Sequence, residues 1–107
     1  MPSALYRINY IFEEPTNEKP PRARIRARIS LQFENIEANV SSELADRTAQ
    51  IIHIIKVILR SKQSSDLTTV MHKLNLAEEI RQQINMIVRE RKVIEVLFEE
   101  VRLLSLK

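Results

Sequence analysis

These 107 residues contain no cysteine and no glycine. Without cysteine, neither a disulfide framework nor a Cys-based zinc site can form. Without glycine, phosphate-cradling loops, nucleophile elbows and tight primed hairpin turns lose the residue that supplies positive φ. Aromatics are scarce: no tryptophan, and only Tyr6, Tyr10, Phe12, Phe33 and Phe98. A stacking platform for single-stranded nucleic acid would be poor. Long apolar runs are missing as well. The longest, at 51–59, carries His53 and Lys56 and stops at Arg60, short of the ~20 residues a membrane span requires. No apolar run follows a basic start, so no signal peptide is read. The default is a cytoplasmic protein with no membrane partner.

What is present is a folding composition. Hydrophobic residues make up 44% and charged residues 29%, too apolar for a disordered chain. The length suits a single domain over 1–107. The centre of the pattern is 41–62. Read as a helix, it gathers Asp46, Gln50, His53, Lys56 and Arg60 on one narrow stripe, and a helix apolar around the rest must be covered on several sides. Asn39, Ser41 and Ser42 are N-cap candidates, with Glu43 favouring the start through the helix dipole.

Two strands precede it. Residues 5–14 alternate, with Tyr6, Ile8, Tyr10 and Phe12 on one face. Residues 22–34 alternate more strictly, with Ala23, Ile25, Ala27, Ile29, Leu31 and Phe33 opposing Arg22, Arg24, Arg26, Arg28, Ser30 and Gln32. A helix would scatter those arginines; a strand puts them in one row. The polar, proline-punctuated stretch at 13–21 predicts a wide connection. An antiparallel register with Phe12 opposite Ala23, Tyr10 opposite Ile25, Ile8 opposite Ala27 and Tyr6 opposite Ile29 sets large against small or branched residues. It leaves Leu31 and Phe33 as an overhang that needs another partner.

Residues 66–105 follow three-four spacing through Leu67, Val70, Leu74, Ala77, Ile80, Ile84, Ile87, Ile94, Leu97, Phe98, Val101 and Leu104, which reads as helix. Ser65 or Asp66 would cap its start. Breaks are expected near Asn75, an internal N-cap candidate, and near 89–92, where the stripe is interrupted. The fold class expected is α+β: a two-stranded antiparallel β-hairpin packed on a buried central helix, then a long, kinked or broken C-terminal helical segment.

Lys19, Arg22, Arg24, Arg26 and Arg28 concentrate positive charge in a chain whose net charge is only +3. In the register above, Arg22 faces Glu13, which could neutralise it, but Arg28 faces Arg7, and like charges directly opposite destabilise a ribbon. The favoured reading is an anion-binding face of these six residues, with DNA or RNA phosphates as partner. The alternatives are an edge protected by charge, or acids of a helix or protein partner meeting the arginines. A strand followed by two helices shares its order with ribbon-helix-helix repressors. The long strand, the strand before it and the missing glycine turn set the chain apart, so it is assigned to no family.

His53 and His72 have no second histidine or carboxylate three or four residues on, so no metal site or cofactor is read. Adjacent acids such as Glu78-Glu79 and Glu99-Glu100 do not converge on a helix, and Glu95, Glu99 and Arg102 read as a solvated helix face. No serine or threonine sits in a nucleophile motif. The function expected is a non-enzymatic, homo-oligomeric binding module, most simply a dimer, joined through Leu31, Phe33, Ile94, Leu97, Phe98 and Val101. The alternative is a structural or adaptor subunit that contacts only protein, through its long C-terminal helix.

Overall fold

The computed structural model describes residues 3–34, 43–89 and 92–106. Four strands form one antiparallel sheet: β1 (Ser3–Arg7), β2 (Phe12–Pro15), β3 (Ala23–Glu34) and β4 (Val93–Ser105). Between β3 and β4 in sequence come a helical turn at 43–46, helix α1 (Thr48–Arg60), a 3-10 turn (Ser64–Leu67) and helix α2 (Val70–Asn85).

β3 is the spine of the sheet. β4 pairs along nearly its whole length, from Ala23↔Ser105 to Phe33↔Val93. β1 and β2 share the other edge end to end, β1 against 30–34 and β2 against 24–27. Five steps from Arg7 to Phe12 match only three on β3, from Ser30 to Ala27. The two extra residues are taken up at 8–11, where the Tyr10 amide donates to the Ile8 carbonyl at 2.8 Å. The single strand expected over 5–14 is therefore two, and the expected register shifts. Phe12 faces Ala27, not Ala23, and Tyr6 faces Leu31, not Ile29.

Strict alternation in β3 sends Ala23, Ile25, Ala27, Ile29, Leu31 and Phe33 to one face, where all are buried. The helices cover that face. α1 contributes Ile51, Ile55, Ile58 and Leu59, and α2 contributes Leu76, Ile80 and Ile84. Leu31 and Phe33 are no overhang: β1 and β4 flank them on both sides, and they are 0% and 2% exposed. α1 is covered on its sheet side and its α2 side, while Val57 remains 52% exposed. The N-cap candidates Asn39, Ser41 and Ser42 lie outside the described residues.

The C-terminal region departs most from expectation. The final element is a strand, and the sheet replaces the expected hairpin and long helical segment. The cause is two irregularities in the β3–β4 pairing, between Arg28/Ile29 and between Gln32/Phe33. They put Val93, Val96, Phe98, Val101, Leu103 and Ser105 opposite the buried side of β3. The spacing along β4 is then three, two, three, two, two. An extra residue at each bulge gives a strand the three-residue steps that imitate a helix face.

α2 runs without a break through Asn75. Its N-cap is Thr69, whose hydroxyl accepts from the His72 amide at 3.1 Å; neither Ser65 nor Asp66 caps it. Asp66 instead accepts from the Gln63 amide at 3.0 Å and closes the 3-10 turn. At the far end the Asn85 side chain clamps the start of β4, donating to the Val93 carbonyl at 2.9 Å and accepting from the Val93 amide at 2.7 Å. Lys92 Nζ donates to the carbonyls of Asn85 and Val88, at 2.6 and 2.8 Å, satisfying groups that a helix end leaves open.

Candidate functional site

The sheet face away from the helices carries most of the arginine row, and its neighbours decide what the row can do. Arg26 Nη1 donates to Glu13 on β2 at 2.9 Å. Glu100 on β4 lies 4.0 Å from Arg26, 3.4 Å from Arg28 and 3.2 Å from Arg102. Glu99 accepts from buried Ser30 and from Arg7 Nε, the latter at 3.1 Å. The Ser30 hydroxyl and then the Arg7 guanidinium hold the Glu99 carboxyl below its ordinary pKa. The acids that meet these arginines come from both flanking strands. Arg7 and Arg28 do not oppose each other, because Arg7 faces Ser30.

Arg7, Arg26 and Arg28 therefore belong to a face of alternating charge. Arg24 lies between Pro15 and Leu104; Lys19 and Arg22 are exposed outside the strands. Among the described residues these three make no ion pair. They are too few and too spread to make the continuous cationic ribbon expected. Glu95, Glu99 and Arg102 lie on a strand, not on a solvated helix face.

The β2–β3 connection is held by polar groups in place of glycine. Buried Thr16 donates its hydroxyl to the Ala23 carbonyl and accepts from the Arg22 and Ala23 amides, at 3.1, 3.2 and 3.2 Å. Glu18 reaches across to the end of α1 and accepts from the Ser64 amide at 2.6 Å and hydroxyl at 2.7 Å. Hydrogen bonding at Thr16, then at Ser64, pushes its pKa down to about 2. Buried Glu14 on β2 is paired with Arg60 at the end of α1. These contacts tie the loop and both helices to the sheet; they do not gather into a reactive centre.

Among the described residues, depressions interrupt the surface at several places. One of about 420 Å³ opens at the irregular stretch 8–11 and is lined by Arg7, Tyr10, Arg28 and Glu99. One of about 410 Å³ runs between the helices past His53, Val57, Ser61 and Glu79. One of about 160 Å³ lies between α2 and β4, among Leu74, Ala77, Arg81, Ile94 and Val96. Among the described residues no three His, Asp or Glu side chains converge as metal ligands, and no helix is long and apolar enough to cross a membrane. Of the expected interface residues, Ile94, Leu97, Phe98 and Val101 fall together on β4, Ile94 at 49% exposure and the others half-buried. Leu31 and Phe33 are separated from them, inside the core.

Residues 10–103, from the turn between β1 and β2 to the outer part of β4, match the family model described as flagellar basal body-associated protein FliL. The chain belongs to the FliL family. No curated protein matches it. Membership overturns two expectations. FliL proteins are associated with the flagellar basal body, so the nucleic-acid reading of the arginine row is withdrawn, and the acids of β2 and β4 supply its physical explanation. The cytoplasmic default is corrected on the same ground: composition shows only whether the chain contains a span, not which structure it joins. FliL membership instead favours the structural subunit named as the alternative, with protein as partner, although the long C-terminal helix through which that subunit was expected to act is replaced by strand β4.

Glu13, expected to neutralise Arg22, pairs instead with Arg26; the residues missed from sequence were Glu99 and Glu100 as partners of the arginines, and Asn85 as the clamp. A signal for the first group was available. The β-branched Val93, Ile94 and Val96 favour a strand, and a strand at 93–105 would have offered acids to the row.

Proposed function

We propose that this FliL-family chain is a structural subunit of the flagellar basal body that works by protein–protein contact and catalyses no reaction. The observation that carries the reading is the family match over 10–103, which takes in β2, β3, β4 and both helices. The polar groups of the chain support it, since each strong set serves to join elements: Glu14 with Arg60, Glu18 with Ser64, and Glu100 with three arginines. The partners are proteins, a second copy of the chain among them.

The test is location and motility in the flagellated cell that encodes the chain. A fluorescent fusion should form foci that coincide with a basal-body marker, and deletion should alter swimming without loss of an enzymatic activity. A diffuse signal with unchanged swimming would overturn the reading.

A further inference from the structure

The depression of about 420 Å³ opens where 8–11 arches with more residues than β3 can pair. Its charge is unequal: the guanidiniums of Arg7 and Arg28 line it against the single carboxylate of Glu99. That carboxylate is already engaged, accepting from Ser30 and from Arg7 Nε. The terminal nitrogens of Arg7 make no hydrogen bond among the described residues. Arg28 lies 3.4 Å from Glu100, donates no side-chain hydrogen bond among the described residues, and shares that acid with Arg26 and Arg102. Both side chains are more than half exposed, at 74% and 54%. A guanidinium with open N–H groups is matched in shape and charge by a carboxylate.

The backbone beside the depression is open too. The Ile8 amide donates to the Ile29 carbonyl, and Tyr6 faces Leu31, so Tyr6 and Ile8 bond inward to β3. Leu5 and Arg7, between and before them, turn N–H and C=O outward. Among the described residues β1 pairs with β3 alone. Leu5 shares a face with Arg7 and is 58% exposed; Ile11, on the rim of the depression, is 39% exposed. A small carboxylate would engage the guanidiniums and leave the backbone groups and the leucine bare. An extended peptide engages all of them, as in strand addition to a sheet edge.

We propose that β1 receives an extended acidic segment of a protein partner, its backbone bonded to Leu5 and Arg7 and its aspartate or glutamate seated in the depression on Arg7 and Arg28. The proposal rests on the reading of the chain as a protein-contact subunit and gives one such contact a place and a chemistry. Main-chain bonds hold any extended chain; the guanidiniums select an acid. β1 has only five residues, so an isolated peptide should bind with a Kd of about 0.1–1 mM.

The probe is a short capped peptide of valine and threonine with a central aspartate, titrated into the nitrogen-15-labelled full chain. Amide shifts should concentrate at Leu5, Arg7, Asn9, Ile11 and Arg28. The same peptide with asparagine at its centre should bind at least ~5-fold more weakly, and Arg28→Gln should abolish the preference for aspartate. The aspartate peptide with N-methylated backbone, which cannot donate to β1, should not bind. If Arg28→Gln loses the parent's spectrum of a folded chain, the asparagine and N-methylated peptides carry the test on the parent.

No shifts at ~5 mM peptide, equal affinity for aspartate and asparagine, or shifts centred on the groove between the helices would overturn the proposal. So would the same shifts with acetate alone, which would make the depression a site for small anions. Shifts at these amides on raising protein concentration without peptide would assign the edge to a second copy and overturn it as well. The titration reads this contact separately from location: its failure leaves basal-body foci untouched, and a diffuse signal in the cell leaves the titration untouched.

Discussion

Ile55 and Val57 sit two residues apart on α1, and the fold gives them opposite energetic weight. Ile55 is fully buried against the sheet and α2, at 0% exposure; Val57 is 52% exposed. Ile55→Ala removes three carbons, worth about 0.8 kcal/mol each when buried. The surrounding Ile51, Leu59 and Ile80 cannot close the void completely, so a cavity penalty adds to that. The expected loss is about 2–5 kcal/mol, the range for such truncations. In a domain of this size each 1 kcal/mol lowers Tm by about 4–8 °C, so a fall of at least ~10 °C is expected. Val57→Ala should change stability by no more than about 0.5 kcal/mol, as surface substitutions do. Urea unfolding followed by circular dichroism at 222 nm measures both. Equal losses for the two variants would refute the packing of α1 described above, whatever their absolute size.

Two further outcomes follow from the polar contacts. Arg60→Met leaves the Glu14 carboxylate buried without its partner and should cost about 1–3 kcal/mol; Glu14→Leu on top of it should recover most of that loss. A double variant no more stable than Arg60→Met alone would contradict the pairing. Glu18 titrates at about 2 in the folded chain, below its ordinary 4.5. Its contribution is therefore complete above ~4.5 and lost as pH falls from there through ~2, because the unfolded chain takes up the proton first. Glu18→Gln should flatten acid unfolding across that window, and an NMR titration of the Glu18 carboxyl with a midpoint near 4.5 would refute the hydrogen bonding of Glu18 to Thr16 and Ser64.

β3 and α1 were legible from local pattern because each obeys a single period over its whole length. In β3 every second residue from Ala23 to Phe33 is buried, and no other element reproduces that alternation. In α1 the apolar run leaves no solvated face wide enough for a strand at a sheet edge. β4 was not legible as a strand. Its bulges space the core-facing residues by three at Val93–Val96 and Phe98–Val101, and a local template counts such steps as helical turns. The break at 8–11 misled in the same way: its two extra residues added two positions to a register already two positions off at Tyr6, so that Phe12 faces Ala27 in place of Ala23, without disturbing the alternation on either side of it.

The sequence by itself determined the alternating strand with its row of arginines, the buried helix, and the exclusion of thiol and glycine-loop chemistry. Each depends on residues close together in the chain, or on residues that are absent. Tertiary structure decided what the arginines are for. Arg26 and Arg28 look like a free cationic row until β2 brings Glu13 and β4 brings Glu100 beside them, the latter from more than 70 residues away. Charge in a sheet is settled across strands at about 5 Å, and which strands become neighbours depends on the packing of the whole chain. The same placement turned the C-terminal apolar residues from a helical stripe into an open strand edge.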